Sequence, residues 1–272
     1  MKSYENVLQI DCSKEVKQIT DFIKNGMKTM NRNGIVVGLS GGIDSAVIAG
    51  LCVEAVGKEN VFGLILPEKE SSSVSAEYAE KEINRLGIKS KTIDLTSILE
   101  AFGTYRKRNK IVKSIFPEYN EKCKIKITLP GNLLKNNSLN VFSLKMITKE
   151  GETKVARPNK EQLNGIVAAS NTKQRMRMLH LYYFAEYKHY LVCGTTNKTE
   201  TLQGFFVKYG DGGVDLEPIA HLYKTQVYQL ADFLGVSQEI IDRKPTPDTY
   251  SAEVTDEEFY FRLPFNKLDL LL

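Results

Sequence analysis

Apolar residues recur along the chain with two periods, and the alternation between them sets the expected architecture. Val16, Ile19, Ile23, Met27 and Met30 are spaced three or four apart, which predicts an amphipathic helix over 14–30 capped by Ser13. The run Ile35-Val36-Val37 predicts a buried strand over 35–39 that enters a glycine turn. A helix over 44–56 stopped by Gly57 follows, then a strand over 61–66 ended by Pro67. A helix over 74–86 stopped by Gly87, a strand over 89–94 and a short helix to Phe102 complete the first part. Strands alternating with helices predict an α/β protein with a doubly wound parallel sheet, whose ligands bind at the carboxyl ends of the strands.

That rhythm breaks at Gly103. From there to Lys126 eight basic residues accompany two acidic ones. Ile125, Ile127 and Leu129 then alternate, and the apolar run at 140–148 leads into Lys149-Glu150-Gly151-Glu152, the pattern of a hairpin. Residues 104–160 therefore read as a β-containing insertion in a single domain covering 1–272. Its basic residues form either a solvated face or the approach of an anionic substrate. Helical patterning resumes at 160 and passes 187. A strand at 190–193 and a helix over 223–234 ended by Gly235 follow.

Composition narrows the class. The 272 residues are 42% hydrophobic and 26% charged with a net charge of +4, an ordinary globular balance that gives no argument for a nucleic-acid partner. No apolar run reaches the ~20 residues of a membrane span, and residues 1–6 lack a signal-peptide core, so a cytoplasmic protein is expected. Cys12, Cys52, Cys123 and Cys193 form no Cys-x-x-Cys pair, which argues against zinc. Cys52 and Cys193 sit in apolar segments and read as buried thiols.

Candidate chemistry begins at Gly38-Leu39-Ser40-Gly41-Gly42-Ile43-Asp44-Ser45. Small residues between a strand and a helix let main-chain N–H groups close on an anion beside a helix N-terminus. Ser40, Asp44 and Ser45 add groups that suit phosphate oxygens and magnesium. The loop is neither a Walker loop nor a dinucleotide fingerprint. The second half holds four further strings. A helix at 171–178 carries Lys173, Arg175 and Arg177. Gly194-Thr195-Thr196-Asn197-Lys198-Thr199-Glu200 follows a strand. A glycine-rich loop at 204–215 bears Lys208, Asp211 and Asp215. Finally, Lys224 opens a helix, where its charge opposes the dipole, so an anion is expected beside it.

The loop at 38–45 resembles that of the N-type ATP pyrophosphatases. Together with the four later strings it is similar to the NAD synthetase family over 14–102 and 161–260. The resemblance implies an adenine nucleotide α-hydrolase-like, Rossmann-like fold. It also implies a reaction: ATP adenylates the carboxylate of nicotinic acid adenine dinucleotide, pyrophosphate leaves, and ammonia displaces AMP to give NAD. Carried residue by residue, it places ATP on Gly38, Leu39, Ser40, Gly41, Gly42, Ile43, Asp44, Ser45, Thr195, Lys224 and Thr246. Mg²⁺ falls to Asp44 and Glu200, and the dinucleotide to Arg175, Lys208 and Asp215. Asp44 and Lys224 are the catalytic candidates, with Asp211 guiding ammonium.

A homodimer is implied, with free ammonia as donor unless a separate glutaminase docks. The alternative reading is an amide synthetase for another carboxylate, a sugar acid or natural-product acid. Three departures from the family pattern bear on that choice. They are the long insertion, Tyr78 where an acidic residue is common, and an end at Leu272 that leaves out the expected helical tail.

Overall fold

A computed structural model describes residues 7–131, 133–134 and 139–272; residues 1–6, on which the signal-peptide reading rests, lie outside them. Four strands, β1 (Ile35–Gly38), β2 (Val61–Ile65), β3 (Lys89–Thr92) and the late β7 (Leu191–Cys193), form a parallel sheet in the order β3-β2-β1-β7. The chain steps outward from β1 to β3, then returns to β1's other side with β7. The switch point therefore falls between β1 and β7, where such sheets bind ligands. β3 reads Lys-Ser-Lys-Thr and is exposed throughout, a charged edge that discourages further pairing.

The period of two along the strands sorts the core into two layers. Ile35, Val37, Ile65 and Cys193 face a cluster with α1 (Cys12–Thr29), α2 (Ile43–Val56), α3 (Ser73–Leu86) and α8 (Lys224–Phe233). Val36, Leu64 and Val192 face α4 (Thr96–Phe102), α5 (Thr104–Ile115) and the 29-residue α6 (Lys160–Lys188). The cap of α1 is Asp11, whose carboxylate accepts from the Lys14 amide at 3.1 Å, rather than Ser13. Asp11 adds charge to the same capping geometry and draws the helix start two residues earlier than expected.

The basic run after Gly103 is mostly helix. Gly103, at φ +79°, ends α4 and begins α5. Its side chains are not one solvated face, because Arg108 is buried. Beyond it β4 (Lys124–Thr128), β5 (Ser143–Ile147) and β6 (Thr153–Ala156) form an antiparallel sheet. Ile125, Ile127, Leu144 and Met146 pack beneath it against Val112 of α5 and Ile166 of α6. The short helices α7 (Lys198–Gln203), α9 (Gln238–Asp242) and α10 (Phe265–Leu271) complete the described chain. Among the described residues no helix is long and apolar enough to cross a membrane.

Candidate active site

The glycine loop joins the carboxyl end of β1 to the first turn of α2. Gly41 has φ +72°, and a Cβ there would lie 2.2 Å from the Ser75 carbonyl oxygen. Glycine is thus required twice, for its backbone angle and for the close approach of α3. Gly42 caps α2 without a side-chain hydrogen bond, so the helix presents free N–H groups and its positive end. The serines close the loop on itself. The Ser40 amide donates to Ser45 Oγ at 3.3 Å, the Gly42 amide to Ser40 Oγ at 3.3 Å, and Ser45 Oγ to the Gly42 carbonyl at 2.8 Å. Phosphate oxygens can take over those amide donors.

Opposite the loop stands Lys224, 1% exposed at the start of α8. Its ammonium pairs with Asp44 and lies 3.5 Å from Glu200 Oε1. These two carboxylates are the anions that its place at a helix N-terminus calls for. Asp44 also accepts from Asn197 Nδ2 at 3.0 Å, while Glu200 closes the capping box of α7 with Asn197. Burial opposes the charge on Lys224, but Asp44 and Glu200 outweigh it and hold the ammonium above its ordinary pKa. Glu200 is pushed up to about 8 by burial, against the pull of Lys224. Burial likewise lifts Asp256 to about 7, and its Oδ1 has no hydrogen-bond partner among the described residues. Three carboxyl groups thus share one ammonium, and burial favours the protonated forms of Glu200 and Asp256; a bound cation would draw them to their charged forms. Among the described residues no group of three or more side chains is arranged to hold a metal. A pair of carboxylates completed by phosphate oxygens and water is nonetheless a set Mg²⁺ accepts.

The loop and these charges border one cavity of about 280 Å³. Gly38, Leu39, Ser40, Gly42, Ile43, Asp44 and Ser45 line it from β1 and α2, and Thr195, Glu200, Asp211, Lys224 and Thr246 from the second half. Gly41 turns toward Ser75 instead. Three expected substrate residues lie outside this lining. Arg175 and Lys208 are exposed and joined to each other, Arg175 Nε donating to the Lys208 carbonyl at 3.1 Å. Asp215 is engaged in the fold, accepting from Tyr182 Oη at 3.0 Å and the Val192 amide at 2.8 Å.

Three cations on the cavity wall, Arg177, Arg243 and Lys244, go beyond the residues expected from sequence. Arg177 donates to the Leu66 carbonyl at 3.1 Å, to Gln174 Oε1 at 3.2 Å and to Ser71 Oγ at 3.4 Å. Arg243 donates to the Gly41 carbonyl at 3.3 Å and to Ser75 Oγ at 2.8 Å. Helical spacing signals the first of these. Lys173 and Arg177 are four residues apart and share a face of α6, whereas Arg175 points the other way. Nothing in the local sequence singles out Arg243.

Fold and loop together define a parallel α/β protein that presents an anion-binding glycine turn at its topological switch point. A family model described as NAD synthase matches residues 15–143 and 132–272. The chain belongs to the NAD synthase family. It is 44% identical over 267 residues to an NH(3)-dependent NAD(+) synthetase of Mesorhizobium japonicum, covering 98% of this chain and 83% of that protein. The solved NH3-dependent NAD synthetase of Campylobacter jejuni, in complex with the nitrate ion, is 31% identical with a TM-score of 0.60. The alignment covers 85% of this chain and 77% of that one. An NMN synthetase from Francisella tularensis shares the fold, with a TM-score of 0.69 at 24% identity over 96% of this chain and 85% of its own.

Proposed function

We propose that the chain is an ammonia-dependent NAD synthetase that activates nicotinic acid adenine dinucleotide with ATP. The observation that carries this reading is the meeting, in one cavity, of the glycine loop with Lys224, Asp44 and Glu200. A carboxylate is a poor electrophile because its leaving group would be oxide. In the first step a carboxylate oxygen of the dinucleotide attacks the α-phosphorus of ATP. The bond to the bridging oxygen breaks, and pyrophosphate leaves with its electron pair. Loop amides, the α2 N-terminus and Lys224 stabilise the charge that gathers on those oxygens. Ammonia then attacks the acyl carbon, AMP departs, and a proton is lost to give the carboxamide. Asp211, whose pKa is raised by burial, borders the cavity as the group that orients the incoming nitrogen.

Asp44 and Glu200 are the residues that would hold Mg²⁺, which when bound supplies neutralisation of phosphate charge. Ser40, Gly42, Ser45, Thr195 and Thr246 complete the ATP site, and Arg175, Lys208 and Asp215 the dinucleotide site. We read the chain as one domain with an insertion at 104–160. It would work as a homodimer through the exposed apolar stripe Leu179, Tyr183 and Tyr187 on α6. Four free cysteines suit the cytoplasm. The relatives are named for NAD and ammonia, which sets aside the reading of another acid.

Purified protein incubated with ATP, Mg²⁺ and ammonium should form NAD, AMP and pyrophosphate in equal amounts only when the dinucleotide is added. AMP release with a different acid, and no NAD, would overturn the substrate assignment.

A further inference from the structure

We propose that Arg243 is a pyrophosphate-binding residue, gripping the β- and γ-phosphates of ATP and retaining them as the leaving group forms. The inference rests on the adenylating reading above and deepens it. Arg243 stands just past α9, and its guanidinium touches the glycine loop itself through the Gly41 carbonyl at 3.3 Å. Its second bond, to Ser75 Oγ at 2.8 Å, reaches the first turn of α3. The side chain therefore lies where loop and helix approach most closely, on the wall of the cavity.

Contact with the loop's own backbone separates Arg243 from the other cations there, Lys224, Arg177 and the exposed Lys244. Lys224 is already committed to Asp44 and Glu200. Arg177 also meets only neutral acceptors, but all three of its guanidinium nitrogens are engaged, on Leu66, Gln174 and Ser71, away from the loop. Arg243 has only neutral partners, and no carboxylate among the described residues lies within ion-pairing distance of it. It also stands between two 14-residue helices, α2 and α3, whose caps Gly42 and Ser72 make no side-chain capping bond. Both helix ends carry partial positive charge, that of α3 already met in part by the Asp248 carboxylate, which accepts from the Ser72 amide at 3.0 Å. An uncompensated guanidinium between them is unfavourable until an anion joins it. A guanidinium has five N–H donors in a planar fork suited to phosphate, and the two bonds recorded leave others for the ligand. Multiply charged pyrophosphate, already called for by the loop, is the anion that answers the guanidinium and the open α2 end together.

Calorimetric titration of the full chain with pyrophosphate, and separately with AMP, tests this in wild type, Arg243→Gln and Arg243→Lys, with thermal melting as the control for folding. Loss of a charge-assisted hydrogen bond predicts pyrophosphate binding weakened by about 10-fold or more in Arg243→Gln. AMP binding should change less than about twofold in that variant, since the adenylate end is remote from Arg243. Arg243→Lys should recover part of the loss, keeping the charge without the fork. Equal pyrophosphate affinity in wild type and Arg243→Gln would overturn the assignment, as would an equal loss for both ligands. Wild type that binds pyrophosphate in the predicted way but forms no NAD from the dinucleotide would instead overturn the substrate reading and leave Arg243 in place.

Discussion

Lys173 and Arg177 lie one turn apart on the same face of α6, yet one cation is sealed into the fold and the other borders the cavity. Lys173 donates to Glu68 Oε1 at 2.8 Å, to Glu70 Oε2 at 2.7 Å and to the Thr249 carbonyl at 2.8 Å. Glu70 is also held by both terminal nitrogens of Arg108, at 2.5 and 2.7 Å. Tyr105 donates to Glu68 at 2.6 Å. These contacts tie the segment after β2 to α5, α6 and the chain at 249, while Arg177 meets only neutral acceptors a turn away.

Replacing Lys173 with methionine keeps the volume but leaves Glu68 and Glu70 facing each other in a buried space. Removing one partner of a buried ion cluster costs about 3–5 kcal/mol. Chemical denaturation should show that loss in Lys173→Met. A change under about 1 kcal/mol would mean that water or rearrangement rescues the carboxylates.

The same cluster sets a dependence on acid. Burial would raise Glu70, but Arg108 and Lys173 override it and lower its carboxyl from 4.5 to about 2. A shift of that size contributes on the order of 3 kcal/mol. Because the folded value is the lower one, the contribution is complete above about pH 4.5 and disappears as the pH falls toward 2. The stability difference between wild type and Glu70→Gln should be flat from pH 5 to 7 and shrink steadily below 4.5. A difference that stays constant down to pH 2.5 would remove the ion cluster as its source.

The parallel sheet and the loop were legible because each residue there answers to a local rule. Ile35-Val36-Val37 alternates between two buried layers, Gly57 and Gly87 stop helices, and Gly41 supplies a turn no other residue fits. Lys224 was legible through conflict, since a cation at a helix start called for the anions that Asp44 and Glu200 provide. Arg108 and Lys173 were hidden inside runs of like charge, where composition suggests a wet face. Their burial depends on Glu70 and Glu68, which lie 38 and 105 residues away respectively. Arg243 was hidden for the same reason, its partners Gly41 and Ser75 being 202 and 168 residues distant. Local patterns report the elements, whereas long-range charge pairing emerges only once the elements are assembled.

Asp44 should be indispensable to the first chemical step. Its loss removes a metal ligand and one of the two carboxylates that offset Lys224. Asp44→Ala is expected to lower pyrophosphate release by at least about 100-fold, the scale on which a single electrostatic group contributes to a transition state. Normal turnover in that variant would withdraw the metal assignment.

Gly41→Ala tests the backbone rather than the side chains. The added methyl would meet the Ser75 carbonyl at 2.2 Å and sit at a positive φ, so loop and α3 must separate. Strain of this kind costs about 1–3 kcal/mol and spoils the alignment of the amides that receive phosphate. ATP affinity should fall more than about 10-fold, as measured by direct titration. Wild-type affinity would show that the loop adapts without its glycine.

Lys208 and Asp215 come from the same glycine-rich loop but should fail in different ways. Lys208 is exposed, its ammonium 5.0 Å from the Tyr209 ring centroid, and its side chain supports no strand or helix. Lys208→Ala should leave the melting temperature within about 2 °C of wild type, since such surface changes stay near ±0.5 kcal/mol. KM for the dinucleotide should rise by more than KM for ATP. Asp215 instead accepts from Tyr182 and from the amide of Val192 in β7, and burial, together with the charge of Asp215, raises the Tyr182 pKa. Asp215→Ala leaves a phenol and an amide without their acceptor, a cost of about 1–3 kcal/mol for each buried donor stranded, so it should lower stability before any kinetic constant is read. Asp215→Asn, which keeps one acceptor oxygen, separates the two roles. If dinucleotide KM rises in Asp215→Asn while the melting temperature holds, Asp215 serves the substrate as well as the strand. If both stay at wild-type values, its duty is to β7 alone and the dinucleotide site is built from Arg175 and Lys208 without it.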